Sequence, residues 1–215
     1  MRTFVTLCLL LAAGSTLAQS PRAGDFEYTI GIAYSIEQDF DGRNGSFLTL
    51  ETRTGFQGGF DYYVTDRLTV GFDATWVRPR YDAQLVPEDG EPAIDISHRA
   101  SIFSGQFNGS YYFTDNPVKP YVEGGLGWTY FDSNVSSDSP ITGCWWDPWW
   151  GYICDTFYTT YNDTSFSYGV GLGLRWDYNR NLYFKGGYRW LEVEFNNVRD
   201  KPMLENASLE IGFKF

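Results

Sequence analysis

This chain of 215 residues has few soft metal ligands and no surplus of positive charge. Its single histidine, His98, and its three cysteines argue against a Cys/His zinc site. Its 16 lysines and arginines are outnumbered by 27 aspartates and glutamates. Because phosphate contacts need clustered positive charge, this balance argues against nucleic acid as a partner. The length suits one domain and leaves little room for a second.

A run of apolar residues long enough for a transmembrane helix is also missing. The longest candidate, residues 4–13, has about ten residues, whereas a membrane-spanning helix needs about 20. It follows Arg2 and precedes small residues that end at Ala18, as in a secretory signal peptide. We therefore expect residues 1–18 to be a cleaved signal peptide and residues 19–215 to form one exported domain. Without a second apolar run, a membrane protein made from this chain has to be a β-barrel.

What the chain does have is 19% aromatic residues, 23 glycines and a regular alternation of side-chain types. From Phe26 to Ile36, apolar side chains take every second position and polar or small ones lie between them. Successive side chains of a strand point to opposite faces, so this segment predicts a strand with one apolar face. The pattern recurs in seven further segments, namely 56–62, 68–76, 103–113, 122–130, 166–176, 182–190 and 207–215.

The second face of these predicted strands is rich in small residues and carries charges of both signs. Small side chains suit a crowded concave interior, and the interior of an eight-stranded barrel is just wide enough to be filled by side chains. The apolar face would then meet lipid, with aromatic residues at the two interfaces. We therefore predict an all-β, eight-stranded antiparallel up-and-down transmembrane barrel rather than a soluble sandwich. Its interior charge network is predicted to contain Glu27, Asp61, Asp73, Glu123, Arg175, Lys185, Arg189 and Lys214.

The lengths of the connections favour the same architecture. Residues 64–67, 114–117 and 178–181 are tight polar turns, whereas the connections near 41–50, 79–98, 132–163 and 195–204 are longer. Short turns at one end and long loops at the other are typical of outer-membrane barrels, whose long loops lie outside the cell.

Four segments resemble small Gram-negative outer-membrane β-barrels, the superfamily that includes OmpA transmembrane domains, OmpX and OmpW. They are residues 119–127 (KPYVEGGLG), 166–175 (FSYGVGLGLR), 187–190 (GYRW) and 209–215 (LEIGFKF). The resemblance implies an outer-membrane location, a monomer in contact with membrane lipid and lipopolysaccharide, and no peptidoglycan-binding domain. It also implies that Phe213 and Phe215, in the last strand, form the signal read by the barrel-assembly machinery.

The most unusual segment is residues 144–154, CWWDPWWGYIC. Once Cys8 leaves with the signal peptide, Cys144 and Cys154 are the remaining cysteines, so we expect a disulfide between them in an oxidising compartment. The loop carries Trp145, Trp146, Trp149, Trp150 and Tyr152. Either these rings pack on one another and cap the barrel mouth, or they form an exposed contact site for a host or glycan ligand, a lipid headgroup or another surface. A third possibility is that the loop folds onto the outer leaflet.

Two other features suggest chemistry less strongly. His98 has Ser97 and Ser101 nearby, but odd offsets in a strand place a serine on the opposite face, which does not suit a His–Ser hydrolase. The acidic residues Asp82, Glu88, Asp89, Glu91 and Asp95 lack the spacing of a calcium loop. We therefore assign no catalytic residue, metal or cofactor. The predicted function is a non-enzymatic structural or surface-interaction role, with a narrow porin or OmpW-like channel as the alternative and an outer-membrane lipid hydrolase as a third hypothesis.

Overall fold

The computed structural model describes residues 22–41, 45–86, 92–136, 141–149, 151–157, 160–194 and 203–215, and in these it contains β-strands joined by turns. The strands are β1 (Phe26–Ser35), β2 (Gln38–Asp41), β3 (Phe47–Leu50), β4 (Arg53–Tyr63), β5 (Leu68–Val77), β6 (Arg80–Leu85), β7 (Ile94–Arg99), β8 (Ser101–Tyr112), β9 (Val118–Ser136), β10 (Ile141–Asp147), β11 (Gly151–Phe157), β12 (Thr160–Asp177), β13 (Leu182–Val193) and β14 (Met203–Lys214).

Eight of these strands form a closed antiparallel barrel. The order around it is β1, β14, β13, β12, β9, β8, β5 and β4, after which the sheet returns to β1. Closure joins the first strand to the last, with Glu27 opposite Lys214 and Ser35 opposite Asn206. The prediction of an eight-stranded up-and-down barrel is confirmed, and each predicted strand segment lies within or beside one barrel strand.

The barrel turns its apolar face outward. In β1, for example, Ile30 is 64% exposed, whereas its neighbour Thr29 is 3% exposed and faces the interior. Exposed apolar residues follow the same parity on the other barrel strands. A closed sheet leaves no unpaired backbone edge, so an apolar outer wall of this kind suits hydrocarbon rather than water.

The strands at the long-loop end were not predicted. Residues near 41–50 and 79–98, which the sequence suggested were connections, contribute to a four-stranded sheet in the order β2, β3, β6, β7. Residues near 132–163 contribute the β10–β11 hairpin and the extensions of β9 and β12 beyond the barrel. These strands are short or carry polar residues on both faces, so their alternation is too weak to mark them in the sequence.

An apolar core sits at this end, between the barrel mouth and the four-stranded sheet. Its buried members are Leu50, Tyr81, Ala83, Ala100, Ile102, Leu191, Val193 and Leu204, with Phe40, Leu48, Ile96, Phe131 and Val135 packed against it. Burial of these side chains holds the added sheet on the barrel.

In the part of the chain that the structure describes, no helix is long and apolar enough to cross a membrane. The predicted signal peptide, residues 1–18, lies outside the described residues, as does most of the predicted connection at 195–204.

Candidate functional site

The short-turn end of the barrel interior is organised around Arg175. This side chain is fully buried, and its Nη1 and Nη2 donate to the two carboxylate oxygens of Glu27 at 2.5 and 2.6 Å. Its Nε donates to Asp177 Oδ1 at 2.9 Å, and the guanidinium carbon lies 3.5 Å from the centroid of the Tyr183 ring. The planar guanidinium therefore satisfies two carboxylates and stacks on an aromatic face at once, which a lysine cannot do.

Asp177 collects further positive charge at the same end. Its carboxylate lies 2.6 Å from Arg22 Nη2, 2.9 Å from Lys119 Nζ and 2.8 Å from Lys214 Nζ. Arg22 precedes β1 and ties the start of the described chain to the barrel floor, because its backbone N–H also donates to Asp66 in the turn at 64–67. These contacts seal the short-turn mouth.

The middle of the interior contains a second group of charges. Arg189 bridges Asp73 at 2.7 Å and Glu123 at 2.8 Å. Lys185 Nζ lies 3.4 Å from Glu123, and the side-chain amide of Asn108 donates to Asp73. A hydrogen-bonded chain of polar side chains crosses beside them; its members are Gln106, Ser167, Thr129 and Ser104.

The structure brings all eight residues of the predicted charge network into the barrel interior, although not all as ion pairs. Asp61 is buried, and its Oδ1 has no hydrogen-bond partner among the described residues. The other seven residues form the ion pairs given above. Sequence reasoning missed Arg22, Lys119, Asp177 and Glu210 as interior charges. Parity would have found three of them, because Lys119 shares a face with Glu123, Asp177 with Arg175, and Glu210 with Lys214. Arg22 lies before the first strand and gives no such signal.

The described interior is balanced in charge and nearly full. Six acids, Glu27, Asp61, Asp73, Glu123, Asp177 and Glu210, face six bases, Arg22, Lys119, Arg175, Lys185, Arg189 and Lys214. A cavity lined by residues that include Gln106, Asn108 and Arg189 offers about 10 Å³, close to the space that one water molecule needs. Paired and hydrogen-bonded side chains surround this cavity.

The β10–β11 hairpin is built differently. Cys144 and Cys154 are direct partners across its ladder, with Cα atoms 4.1 Å apart, and they form the predicted disulfide. Gly151, at φ +80°, supplies the left-handed backbone conformation where β11 begins after the turn. Within the described residues, the two strands pair with each other and join neither the barrel nor the four-stranded sheet.

Three aromatic residues of this hairpin are strongly exposed. Trp146 is 70%, Trp149 80% and Tyr152 71% exposed. Trp146 and Tyr152 are direct partners in the ladder, so their side chains leave the same face of the hairpin. Trp150 and the side chain of Trp145 lie outside the described residues, so their predicted roles stay predictions.

The structure does not bring together those of the remaining candidate residues that it describes. His98 lies on β7, exposed, and its Nδ1 accepts a hydrogen bond from the backbone N–H of Arg99 at 2.9 Å. Among the described residues, neither Ser97 nor Ser101 hydrogen-bonds to His98, and no group of three or more His, Cys, Asp or Glu side chains lies close enough to hold a metal ion. Asp82 and Asp95 lie on the four-stranded sheet, whereas Glu88, Asp89 and Glu91 lie outside the described residues.

The last strand places both residues of the predicted assembly signal on the outer wall. Phe213 and Phe215 are exposed, and the Phe215 ring lies 5.6 Å from that of Tyr28 across the closing seam. The backbone N–H of Phe215 donates to the carbonyl of Phe26 at 3.0 Å. The chain therefore closes its barrel with an aromatic end on the lipid-facing side.

Comparison with known proteins identifies similar chains. Residues 4–215 match the family model for the outer membrane protein beta-barrel domain. The outer membrane protein OprG of Pseudomonas aeruginosa is similar in structure, with a TM-score of 0.61 and 16% identity over 90% of this chain and 97% of that one. Ail, the attachment invasion locus protein of Yersinia pestis, in complex with the heparin analogue sucrose octasulfate, gives a TM-score of 0.52 and 16% identity over 89% of this chain and 99% of that one. No curated protein matches the chain. At these identities the structural likeness shows the fold alone.

Proposed function

The chain belongs to the outer membrane protein β-barrel family, and from that premise we propose that it is a non-enzymatic surface protein whose β10–β11 hairpin contacts an external ligand. The barrel anchors the chain, and the hairpin makes the contact. Long loops of such barrels lie on the extracellular side, which is where the hairpin emerges.

The observation that carries this proposal is the exposure of Trp146, Trp149 and Tyr152 on a disulfide-closed hairpin. Large apolar rings in water are unfavourable unless a partner covers them, and exposed aromatic clusters commonly mark contact sites. The disulfide restricts the hairpin before any ligand arrives, which lowers the ordering cost of binding. A contact role accounts for both features together.

The packed interior supports an anchoring role for the barrel. Buried ion pairs lie along the described interior from Asp177 to Asp73, and the cavity beside Arg189 offers about 10 Å³. Moving an ion through this region would require breaking charge pairs in a low-dielectric interior, which costs several kcal/mol. We therefore favour the contact role over the narrow-channel hypothesis.

The chemistry of the hairpin indicates what it contacts. Ail was solved with sucrose octasulfate, which carries many negative charges. Residues 141–157 of this chain contain no lysine, arginine or histidine and carry Asp147 and Asp155. A sulfated ligand would find no cation on the hairpin, whereas the adjacent rings of Trp146 and Tyr152 suit the apolar face of a neutral sugar. We infer a neutral glycan as the ligand class.

The test is binding of the purified full-length protein, in detergent, to an array of neutral and sulfated glycans. We expect binding to neutral glycans that falls at least ten-fold in W146A/W149A and is retained in Y161A, which removes an exposed aromatic residue of β12 at the same end. Unchanged binding in W146A/W149A, or preference for sulfated glycans, would reject the proposal. Sustained ion-selective current in planar bilayers would favour the channel, and lipid A deacylation lost in H98A would favour the hydrolase.

Three further predictions belong to this function. Residues 1–18 direct export and are cleaved off, the barrel-assembly machinery reads Phe213 and Phe215, and the folded wall lies among outer-membrane lipid and lipopolysaccharide as a monomer. The exposed apolar wall supports the place in lipid, and the aromatic end of β14 supports the assembly signal.

A further inference from the structure

Three arginines lie together on the outer face of the molecule, just beyond the lipid-facing wall at the long-loop end. Every second side chain from the end of β5 to the start of β6 points outward, namely Trp76, Arg78 and Arg80. The alternate residues Val77 and Tyr81 are buried. Arg99, at the end of β7, is exposed on the same face. The patch therefore starts where the apolar wall stops.

The strand register brings the three side chains together. Trp76 pairs with Phe103 in the barrel, and Arg80 pairs with Arg99 where the four-stranded sheet begins. The backbone N–H of Ala100 donates to the carbonyl of Pro79 at 3.0 Å, so the ladder continues between these two rows. Like charges directly opposite each other in a ladder are unfavourable without a counter-charge.

Arg78 ties this patch to the membrane boundary. Its guanidinium carbon lies 5.8 Å from the centroid of the Trp76 ring, and Trp76 is 45% exposed on the outer wall. Aromatic residues at the end of a lipid-facing wall lie at the level of the headgroups. An arginine stacked on such a ring holds its charge at the same level.

Carboxylates lie near the patch: Glu51, whose backbone N–H donates to the carbonyl of Arg80 at 2.8 Å, lies beside Arg80. Among the described residues, none of Arg78, Arg80 and Arg99 forms an ion pair. Asp132, the closest acid along β9, is held by the backbone N–H of Asn134 at 2.8 Å. Asp82 lies one row farther from the membrane, opposite Ser97.

Two acidic side chains lie at the long-loop end of the barrel on strands away from β5. Glu192 on β13 and Glu205 on β14 each accept a hydrogen bond from a tyrosine, Tyr168 and Tyr188 respectively. In the order of strands around the barrel, β13 lies four places from β5 in either direction. Among the described residues, the patch of three arginines and these two glutamates thus lie on different sides of the barrel, in a chain whose formal net charge is −11.

We propose that Arg78, Arg80 and Arg99, together with Trp76, form a binding site for the phosphate groups of an outer-leaflet lipid. Guanidinium groups bind phosphate oxygens through paired, charge-assisted hydrogen bonds. The wall below the patch accommodates the acyl chains of the same lipid, which a soluble anion does not use. The site fixes one side of the barrel to an anionic headgroup and is separate from the β10–β11 hairpin.

The experiment is native mass spectrometry of the full-length protein in detergent micelles with diphosphorylated lipid A as the probe. We expect retention of the lipid by the wild type and at least a ten-fold loss in R78Q/R80Q/R99Q. R78K/R80K/R99K keeps the charge but not the planar donors, so an intermediate loss is expected. R180Q is the matched control, since Arg180 is exposed in the turn at 178–181, at the opposite end of the barrel. Heat-modifiable migration on gels verifies that each variant is folded.

The lipid source is tested with two further probes. Lipid A without phosphates should bind at least ten-fold more weakly to the wild type, and millimolar sodium phosphate should not displace the intact lipid. Equal retention by R78Q/R80Q/R99Q, an equal loss in R180Q, or displacement by free phosphate would overturn the proposal. So would a dimer of the protein that disappears in R78Q/R80Q/R99Q while lipid binding stays unchanged, because the patch would then meet Glu192 and Glu205 of a second copy.

Discussion

The barrel wall and the β10–β11 hairpin both expose aromatic side chains, but for different reasons. On the wall, Trp76 and Trp176 follow the strict alternation of a closed sheet whose other face is packed with paired charges. On the hairpin, Trp146 lies on β10 and Trp149 in the turn that follows it, and no described strand of the barrel or of the outer sheet joins the two hairpin strands. Lipid accounts for the exposed rings of the wall. The exposed rings of the hairpin lie outside this sheet, and this difference is why we propose the contact role for the hairpin.

The largest expected effect comes from removing the positive charge of Arg175, at the short-turn end of the barrel interior. Arg175→Met leaves Glu27 and Asp177 buried with a lost partner, so unfolding free energy should fall by about 3–5 kcal/mol. Urea unfolding in lipid vesicles, followed by tryptophan fluorescence, measures it. Arg180→Met, in an exposed turn, is the control and should leave the midpoint unchanged. Equal midpoints for both variants would mean that the interior ion pairs do not stabilise the barrel.

Substitution of Gly212, which lies against a tyrosine ring, should have the next largest effect on stability. A Cβ at Gly212 would collide with the ring of Tyr183, its partner across the β13–β14 ladder. Gly212→Val should therefore cost about 1–3 kcal/mol of barrel stability, through overpacking. Gly186→Val is the control, because a Cβ there meets Leu209 Cδ2 at 3.4 Å, an ordinary contact. In a Tyr183→Ala background the same Gly212→Val change should cost less, and an equal cost in both backgrounds would contradict the packing argument.

Removal of the disulfide should affect the β10–β11 hairpin and leave the barrel wall unchanged. A cross-link between residues ten positions apart restricts the open hairpin by roughly 2 kcal/mol. In C144S/C154S we expect glycan affinity to fall by about five- to thirty-fold while the unfolding midpoint of the barrel stays at the wild-type value. A reductant should reproduce the loss in the wild type and have no effect on the variant. A lower barrel midpoint would show that the hairpin supports the wall.

The smallest effect is expected at the short turns. The hydrogen bond from Arg67 lowers the pKa of Asp115 in the turn at 114–117. A group whose pKa is lower in the folded state stabilises the fold at pH values above its unfolded-state pKa, and this stabilisation is lost as the pH falls through the folded-state pKa. Here the effect is small, because both side chains are exposed and screened by solvent. Asp115→Asn should therefore leave the unfolding midpoint at neutral pH within error, and should flatten its slight decline in acid. A clear loss of stability at neutral pH would contradict the view that the ion pairs of the interior dominate.

The alternation of apolar and polar side chains was enough to predict the barrel and part of the candidate site. A two-residue period over eight segments gives the inward residues, so Arg175, Glu123 and Asp73 follow directly from it. Their partners across the interior do not, because a parity pattern states which face a residue occupies and not which strand lies opposite. Arg22 gives no periodic signal, and the strands β6 and β7 are short and polar. The arginine patch depends on the register of Arg80 with Arg99, which no local pattern contains.

The central claim is that the wall meets hydrocarbon while the hairpin stands in water, and tryptophan quenching in vesicles tests it most directly. Four of the eight tryptophans lie in residues 145–150 and four, Trp76, Trp128, Trp176 and Trp190, lie on barrel strands. With Trp145, Trp146, Trp149 and Trp150 changed to Phe, we expect the remaining fluorescence to be quenched strongly by lipids with brominated chains and weakly by aqueous iodide. Strong iodide quenching with no effect of the brominated lipids would contradict it.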